Sequence, residues 1–321
     1  MKKGSEFFHD GVPQSREEPK VHRNISEYIR ELSKHSNDFY QHLEMESQYV
    51  DTYQDISYPS ASVQLHSHRF YELIFCRNAR GVEYLVGSER YKLQNGDLVI
   101  VTPGTSHCPI LTSEVTEPYV RYILWLSEDF MTLLNQHFPD NHLLRPSSTT
   151  LLRTAGTRWE YIGNLFRVGV METENKQFGW EVAVMANTLS ILTHLFRANM
   201  DTQSRPLVAE KTELLDQVLA YIEQSMSEKL TLADVAKHFF ISESTITQTF
   251  RKKMGISFYR YVTQRRLISA KVLMEKGASL ESIAEQVGFS DYSSFFRAFK
   301  QEYGVSPRQY RKKAPFQEGR G

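Results

Sequence analysis

His66, His68, Glu72 and His107 are residues whose types and spacing invite chemistry. Read as a strand, His66-Ser67-His68 places both imidazoles on one face, and Phe70 and Glu72 continue the same parity. A later strand carrying His107, after the turn Pro103-Gly104, can bring a third imidazole alongside. Three imidazoles and a carboxylate suit a divalent transition metal. The same groups can instead hydrogen-bond an organic ligand, and spacing does not choose between the two. The two cysteines, Cys76 and Cys108, read as small buried apolar side chains. There is no nucleophile motif, Gly-rich phosphate loop or zinc-ribbon spacing, so no catalytic residue is assigned.

A second constellation lies near the C-terminus as a degenerate repeat. Leu232, Val235, Ala236, Phe239, Ile241 and Ser242 recur 48 residues later as Leu280, Ile283, Ala284, Val287, Phe289 and Ser290. With one inserted residue, Phe250 and Gly255 then match Phe299 and Gly304. Each copy reads as a helix, a tight turn, a Ser N-cap and a basic second helix carrying Arg251, Lys252 and Lys253, or Arg297 and Lys300. That is a helix-turn-helix layout. A stacked helical array needs three or more copies and no selectively basic helix.

The elements that position these residues follow from periodicity. Ile25 to Met45 has helical spacing. Residues 61–126 alternate short β-rich runs (Glu72–Cys76, Val82–Val86, Tyr91–Leu93, Leu98–Val101, Tyr119–Leu126) with turns at Gly87-Ser88, Asn95-Gly96 and Pro103-Gly104. This predicts an antiparallel barrel or sandwich, with Asn95-Gly96 as a hairpin turn. Helices are predicted near 128–137, 159–172 and 178–199. The apolar stripe of the last (Trp180, Val184, Leu189, Ile191, Leu192, Leu195, Phe196) fits packing on the β unit or on a second copy. Beyond 211 all reads helical. Thr231, Ser242, Ser279, Ser290 and Ser306 are the expected N-caps, and Gly255, Gly277 and Gly304 the stops.

At 321 residues the chain exceeds one ordinary core. Lys+Arg and Asp+Glu both number 38, a net charge of zero that argues against a nucleic-acid partner only if the charge is evenly spread. It is not: residues 1–209 sum to −5, 210–321 to +5, and 251–313 to +9. Such asymmetry points to a polyanion partner for the C-terminal part. No uncharged apolar run reaches the ~20 residues of a membrane helix, and the N-terminus turns acidic before any apolar stretch. Membrane and secreted classes are set aside and a cytoplasmic protein is expected.

On Leu232, Val235, Ala236, Ser242, Phe250 and Gly255, and most densely on Ala284-Glu-Gln-Val-Gly-Phe289 followed by Phe295-Phe-Arg-Ala-Phe-Lys300, residues 211–313 resemble the DNA-binding domain of the AraC/XylS family of bacterial transcription factors. The resemblance implies about seven helices, with two helix-turn-helix units joined by a long helix at 257–276. It implies base-edge contacts from Ser244, Thr247, Gln248, Tyr292, Ser293, Ser294 and Arg297. Arg pairs with guanine, Gln with adenine, and Ser or Thr with either. Ser242, Arg251, Lys252, Lys253, Ser290, Arg308 and Arg311 are then phosphate contacts. The His66/His68/Glu72/His107 spacing resembles the two motifs of the cupin superfamily, a small β-barrel. It implies an effector pocket lined by His66, His68, Phe70, Glu72, His107 and Trp125, for a sugar or other small polar metabolite, or a divalent metal on the three histidines and Glu72.

The expected whole is a multi-domain α+β protein. It comprises a flexible arm (1–22), a cupin-like sensor and dimerisation domain with flanking helices (23–199), a linker (200–210), the DNA-binding domain (211–313) and a tail (314–321). Its partners are double-stranded DNA, a small-molecule effector, a second copy through residues 159–199, and RNA polymerase if it activates.

Overall fold

The computed structural model describes residues 43–59, 63–111, 114–138, 151–201 and 213–313. The expected arm, the helix over 25–45 up to residue 42, the linker beyond Asp201 and the tail lie outside the described residues. The N-terminal part is β-rich and the C-terminal part helical. The strands are β1 (Val50–Ser57), β2 (Tyr71–Asn78), β3 (Val82–Val86), β4 (Glu89–Lys92), β5 (Asp97–Val101), β6 (His107–Leu111), β7 (Tyr119–Leu126) and β8 (Leu151–Arg153). They form a five-stranded sheet, β1-β7-β2-β5-β8, and a three-stranded sheet, β4-β3-β6, with antiparallel pairing throughout. Among the described residues the predicted barrel is therefore a two-sheet sandwich rather than a closed cylinder.

Alternation along β2 shows how the larger sheet is used. Leu73 and Phe75 join Leu98, Ile100, Tyr122 and Leu124 in an outer core. Ile74 and Cys76 join Val99, Val101, Ile123 and Trp125 in an inner core shared with Val82, Tyr84 and Val86 of β3. A sheet buried on both faces needs near-continuous apolar runs, which is why Leu98-Val-Ile-Val101 and Tyr122-Ile-Leu-Trp-Leu126 lack polar alternation. One turn prediction is corrected. The hairpin is at Gly87-Ser88, where Val86 pairs with Glu89 and Gly87 takes φ 61°, whereas Asn95-Gly96 passes the chain from one sheet to the other.

Helices α1 (Glu128–His137), α2 (Ile162–Asn175) and α3 (Trp180–Met200) follow. Val184, Ile191, Leu192 and Leu195 of α3 are buried in the outer core, so its apolar stripe is spent on the sheet. Leu189 of that stripe stays exposed, as do Phe178 and Val182 beside it and Val168 and Met171 on α2.

The C-terminal part contains α4 (Leu214–Gln224), α5 (Leu232–His238), α6 (Glu243–Met254), α7 (Phe258–Glu275), α8 (Leu280–Gln286), α9 (Tyr292–Tyr303) and α10 (Pro307–Lys313). Thr231 and Asp234 form a reciprocal capping box, and Ser242, Ser257 and Ser279 cap α6, α7 and α8. Helix α7 serves two cores. Its Tyr261, Val262 and Ile268 enter the core of α4–α6, and its Leu267, Ala270 and Met274 enter that of α8–α9. The first of these also takes in Leu85, Cys108 and Ile110 from the outer face of the small sheet, together with Leu65. The layers therefore run α2/α3, large sheet, small sheet, helical domain.

Candidate functional site

Glu72 comes from β2 of the large sheet, His107 from β6 of the small sheet, and His66 and His68 from the segment joining β1 to β2, which bridges to β6 at His66. Only the pairing of His66 with His107 is strand-like, so the shared face arises from tertiary folding as much as from parity. All four residues are buried. Trp125 Nε1–H donates to Glu72 Oε1 at 2.9 Å, and the Phe70 ring stacks on His68 at 3.9 Å. The six side chains named from the sequence are thus brought together. The ligand atoms of His68, Glu72 and His107 lie within 4.8 Å of one another, whereas His66 stands beside that trio with its ring 4.2 Å from that of His107.

The protons of the cluster follow from its outer partners. His66 Nδ1 lies 2.8 Å from Gln64 O, His68 Nδ1 2.9 Å from Phe70 O, and His107 Nδ1 3.0 Å from Thr105 O. A carbonyl only accepts, so each Nδ1 carries a proton, and Nε2 offers a lone pair in a neutral ring or a second N–H in a protonated one. Burial pushes His66 and His68 towards the neutral form. For Glu72, burial alone would raise the carboxyl, but contact with His107 and His68 outweighs it and holds the group well below the usual range. Glu72 Oε2 lies 3.0 Å from His107 Nε2 and 3.4 Å from His68 Nε2. His107 Nε2 makes no hydrogen bond of acceptable geometry. Lone pairs facing a carboxylate inside a protein repel unless a positive charge, a shared proton or a cation, lies between them.

The nucleic-acid side has clear geometry as well. On α6, Ser244 and Gln248 are exposed and Thr247 is half-buried, its hydroxyl donating to Glu243 O at 2.9 Å. On α9, Ser293 and Arg297 are exposed, and Tyr292 is half-buried against Phe295 and Phe296. Arg251, Lys252 and Arg308 are exposed, and the Ser242 hydroxyl accepts from the Thr245 amide.

Three expected phosphate contacts are otherwise engaged. Helix α9 is capped by Asp291, not Ser290: its carboxylate accepts from Ser294 N at 2.7 Å, and Ser290 Oγ donates to it at 2.8 Å. An Asp out-competes the preceding Ser because its oxygen reaches the third helical amide, and it sets a negative charge where a phosphate would dock. Lys253 pairs with Glu213 at 3.3 Å. Arg311, half-buried, donates to Ala278 O and so closes the turn after α7.

Sequence reasoning also missed an ionic clamp at the seam between the halves. Arg90 of β4 donates to Glu83, to Asp216 at 2.8 Å and to Glu213 at 2.7 Å. No local signal distinguishes Arg90 from a solvated strand residue. Beside the clamp, Arg265 of α7 donates to Ser106 and Glu223, and Lys271 lies 3.5 Å from Ser67 O.

The helix-turn-helix domain family matches residues 235–313. The chain is similar to the uncharacterized HTH-type transcriptional regulator YfiF of Bacillus subtilis, 27% identical over 77% of this chain and 78% of that one. It is also similar to the HTH-type transcriptional activator RhaS of Salmonella dublin, 24% identical over 79% of this chain and 89% of that one. Among solved structures, unsaturated fatty acid-bound ToxT from Vibrio cholerae aligns at 13% identity and a TM-score of 0.34, over 84% of this chain and 97% of that one. Two capped helix-turn-helix units, a basic C-terminal part, the matched helix-turn-helix domain and the two regulators agree: the chain is a transcriptional regulator with a helix-turn-helix DNA-binding domain.

Proposed function

We propose that this regulator reads a specific operator with α6 and α9 in successive major grooves, under control of an effector held at the histidine–glutamate cluster of a cupin-type sensor domain. The observation that carries it is the pair of second helices, both mounted on α7 with Ser244, Gln248, Ser293 and Arg297 turned to solvent. Thr247, Tyr292 and Ser294 complete the base-reading set. Ser242, Arg251, Lys252 and Arg308 hold phosphates, and Lys253, Ser290 and Arg311 contribute less because of their internal partners. The sensor spans 23–199 and the DNA-binding domain 211–313.

Two copies pair through the faces of α2 and α3 turned away from the sheet, where Val168, Met171, Val182 and Leu189 are exposed next to a fully exposed Phe178. As relatives named activators suggest, bound protein recruits RNA polymerase. No described helix is long and apolar enough to cross a membrane. Selection from a random duplex library, followed by footprinting of the winning sequence, tests this. Two protected major-groove segments about one helical turn apart per protomer are expected. Enrichment of no sequence, or protection of a single groove segment, refutes it.

A further inference from the structure

At the end of the α2–α3 pair away from Phe178, and across the large sheet from the histidines, lies a cleft of about 600 Å³. The turn before α2 supplies Arg158, Trp159 and Tyr161. The last turns of α3 supply His194, Arg197 and Met200, successive i,i+3 neighbours on the helix surface. A volume in this range holds a small organic molecule. None of the six side chains of the histidine cluster lines it.

The walls are aromatic and held in place. Trp159 Nε1–H donates to Asp201 Oδ2 at 3.1 Å, and Arg158 pairs with the same oxygen at 2.8 Å. This anchors the Arg158 guanidinium over the Trp159 ring, 5.0 Å from its centroid, while 69% of the arginine side chain stays exposed. A guanidinium fixed in that way is a flat platform for a further ring. Tyr161 Oη lies 2.8 Å from His194 Nδ1, with the two rings edge to face at 5.1 Å. Partial burial, then the Arg197 charge beside it, push His194 below its ordinary value and keep it neutral at pH 7.

Charge then selects the ligand. Asp201 neutralises Arg158, whereas the Arg197 guanidinium has no hydrogen bond or ion pair among the described residues. One uncompensated cation beside a neutral imidazole suits a monoanion, and a guanidinium fork matches a carboxylate with two parallel hydrogen bonds. A phosphate dianion needs a second free cation. Tyr161 and Met200, 40% and 69% exposed, offer apolar surface to the body of the ligand. We propose that this cleft binds a ring-bearing carboxylate the size of two fused rings, with its carboxylate on Arg197 and its ring against Arg158 and Tyr161. The site is separate from the histidine–glutamate cluster and does not depend on the regulator reading.

Calorimetric titration of the full chain with indole-3-acetate tests this. Expected are one site per chain and a Kd below about 1 mM, ordinary for a ligand of that size. Indole-3-acetamide, which keeps the ring and loses the charge, should bind at least about tenfold more weakly. Arg197→Gln, at an exposed residue, should weaken indole-3-acetate by about tenfold or more, while Tyr161→Ala should weaken acid and amide alike because it removes ring contact and no charge. Inorganic phosphate should not compete. No binding at about 1 mM, equal affinity for acid and amide, or full affinity in Arg197→Gln overturns the inference, the last because the probe then sits elsewhere. Competition by phosphate also overturns it, since the cleft would then be a simple anion site. Binding by Phe178→Asp but not by the wild-type chain would assign the cleft to a second copy and overturn it too.

Discussion

Arg90 is the residue on which the seam between the halves should be tested. Its side chain is 5% exposed and contacts Glu83 and Asp216, whose side chains are 9% and 6% exposed, and the more open Glu213. Arg90→Met preserves the apolar stem but leaves two carboxylates buried without a counter-charge. Breaking one side of such a cluster costs about 3–5 kcal/mol, far more than an exposed pair is worth.

All three tryptophans, Trp125, Trp159 and Trp180, precede residue 201, so their fluorescence reports the N-terminal half. The signal at 222 nm is dominated by helix and so weighted towards α4–α10. In urea the wild-type protein should show coincident transitions by the two probes. Arg90→Met should separate them, because the halves lose a shared cluster and not their own cores. Adding Glu83→Gln and Asp216→Asn to Arg90→Met should recover most of the loss, since the cost lies in the orphaned charges. A loss below about 1 kcal/mol with transitions still coincident would show that Arg90 behaves as a surface pair, and the argument from its burial would be wrong.

The turn of the second helix-turn-helix holds Gly288 at φ 84°, where a Cβ would meet Met226 O at 2.4 Å; Gly288→Ala should therefore cost about 2 kcal/mol or more in thermal unfolding. The repeat places Phe240 at the matching position of the first unit, at φ 56° and 96% exposed, so Phe240→Gly should stabilise by about 0.5–1 kcal/mol; a loss of stability would reveal a packing partner. In operator-binding titrations, Arg297→Ala should relax discrimination at one base position, whereas Lys252→Ala should weaken all sequences alike and lower the salt slope by about one; full discrimination by Arg297→Ala refutes its role. Glu213 is held below its ordinary range chiefly by its hydrogen bond from Arg90. A depressed carboxyl stabilises above its unfolded value and loses that contribution as pH falls through its folded one, so acid should weaken the seam below about pH 4, and Arg90→Met should lack that acid limb.

Much of the C-terminal half was legible because its signals are local. Thr231 with Asp234, Ser242, Gly255 and Gly304 mark helix ends through contacts within one turn, and the structure uses each in that way. Ser290 misled because Asp291 beside it is a competing cap, and sequence does not weigh two adjacent acceptors. In the β half, Val82–Val86 and Tyr119–Leu126 stood out as runs of β-formers. Strand β1 (Val50–Ser57) did not, because its polar Asp51, Thr52 and Gln54 dilute the pattern. Asn95-Gly96 carried the stronger hairpin signal, yet Gly87-Ser88 makes the hairpin, because sheet membership depends on distant pairing partners.

The sequence by itself determined the tandem helix-turn-helix, the split of charge, and the histidine and glutamate set as candidates for chemistry. These rest on residue type, local capping and period, which need no knowledge of distant neighbours. Tertiary structure alone decided that the α3 stripe packs on the sheet and that Arg90 is a clamp. It also decided that the imidazoles turn Nε2 inward and that their neighbours Ser67 and Ser106 reach α7. The clamp and the serine contacts join residues more than a hundred apart in the chain, and it is burial against a particular partner that turns a side chain into core, clamp or ligand.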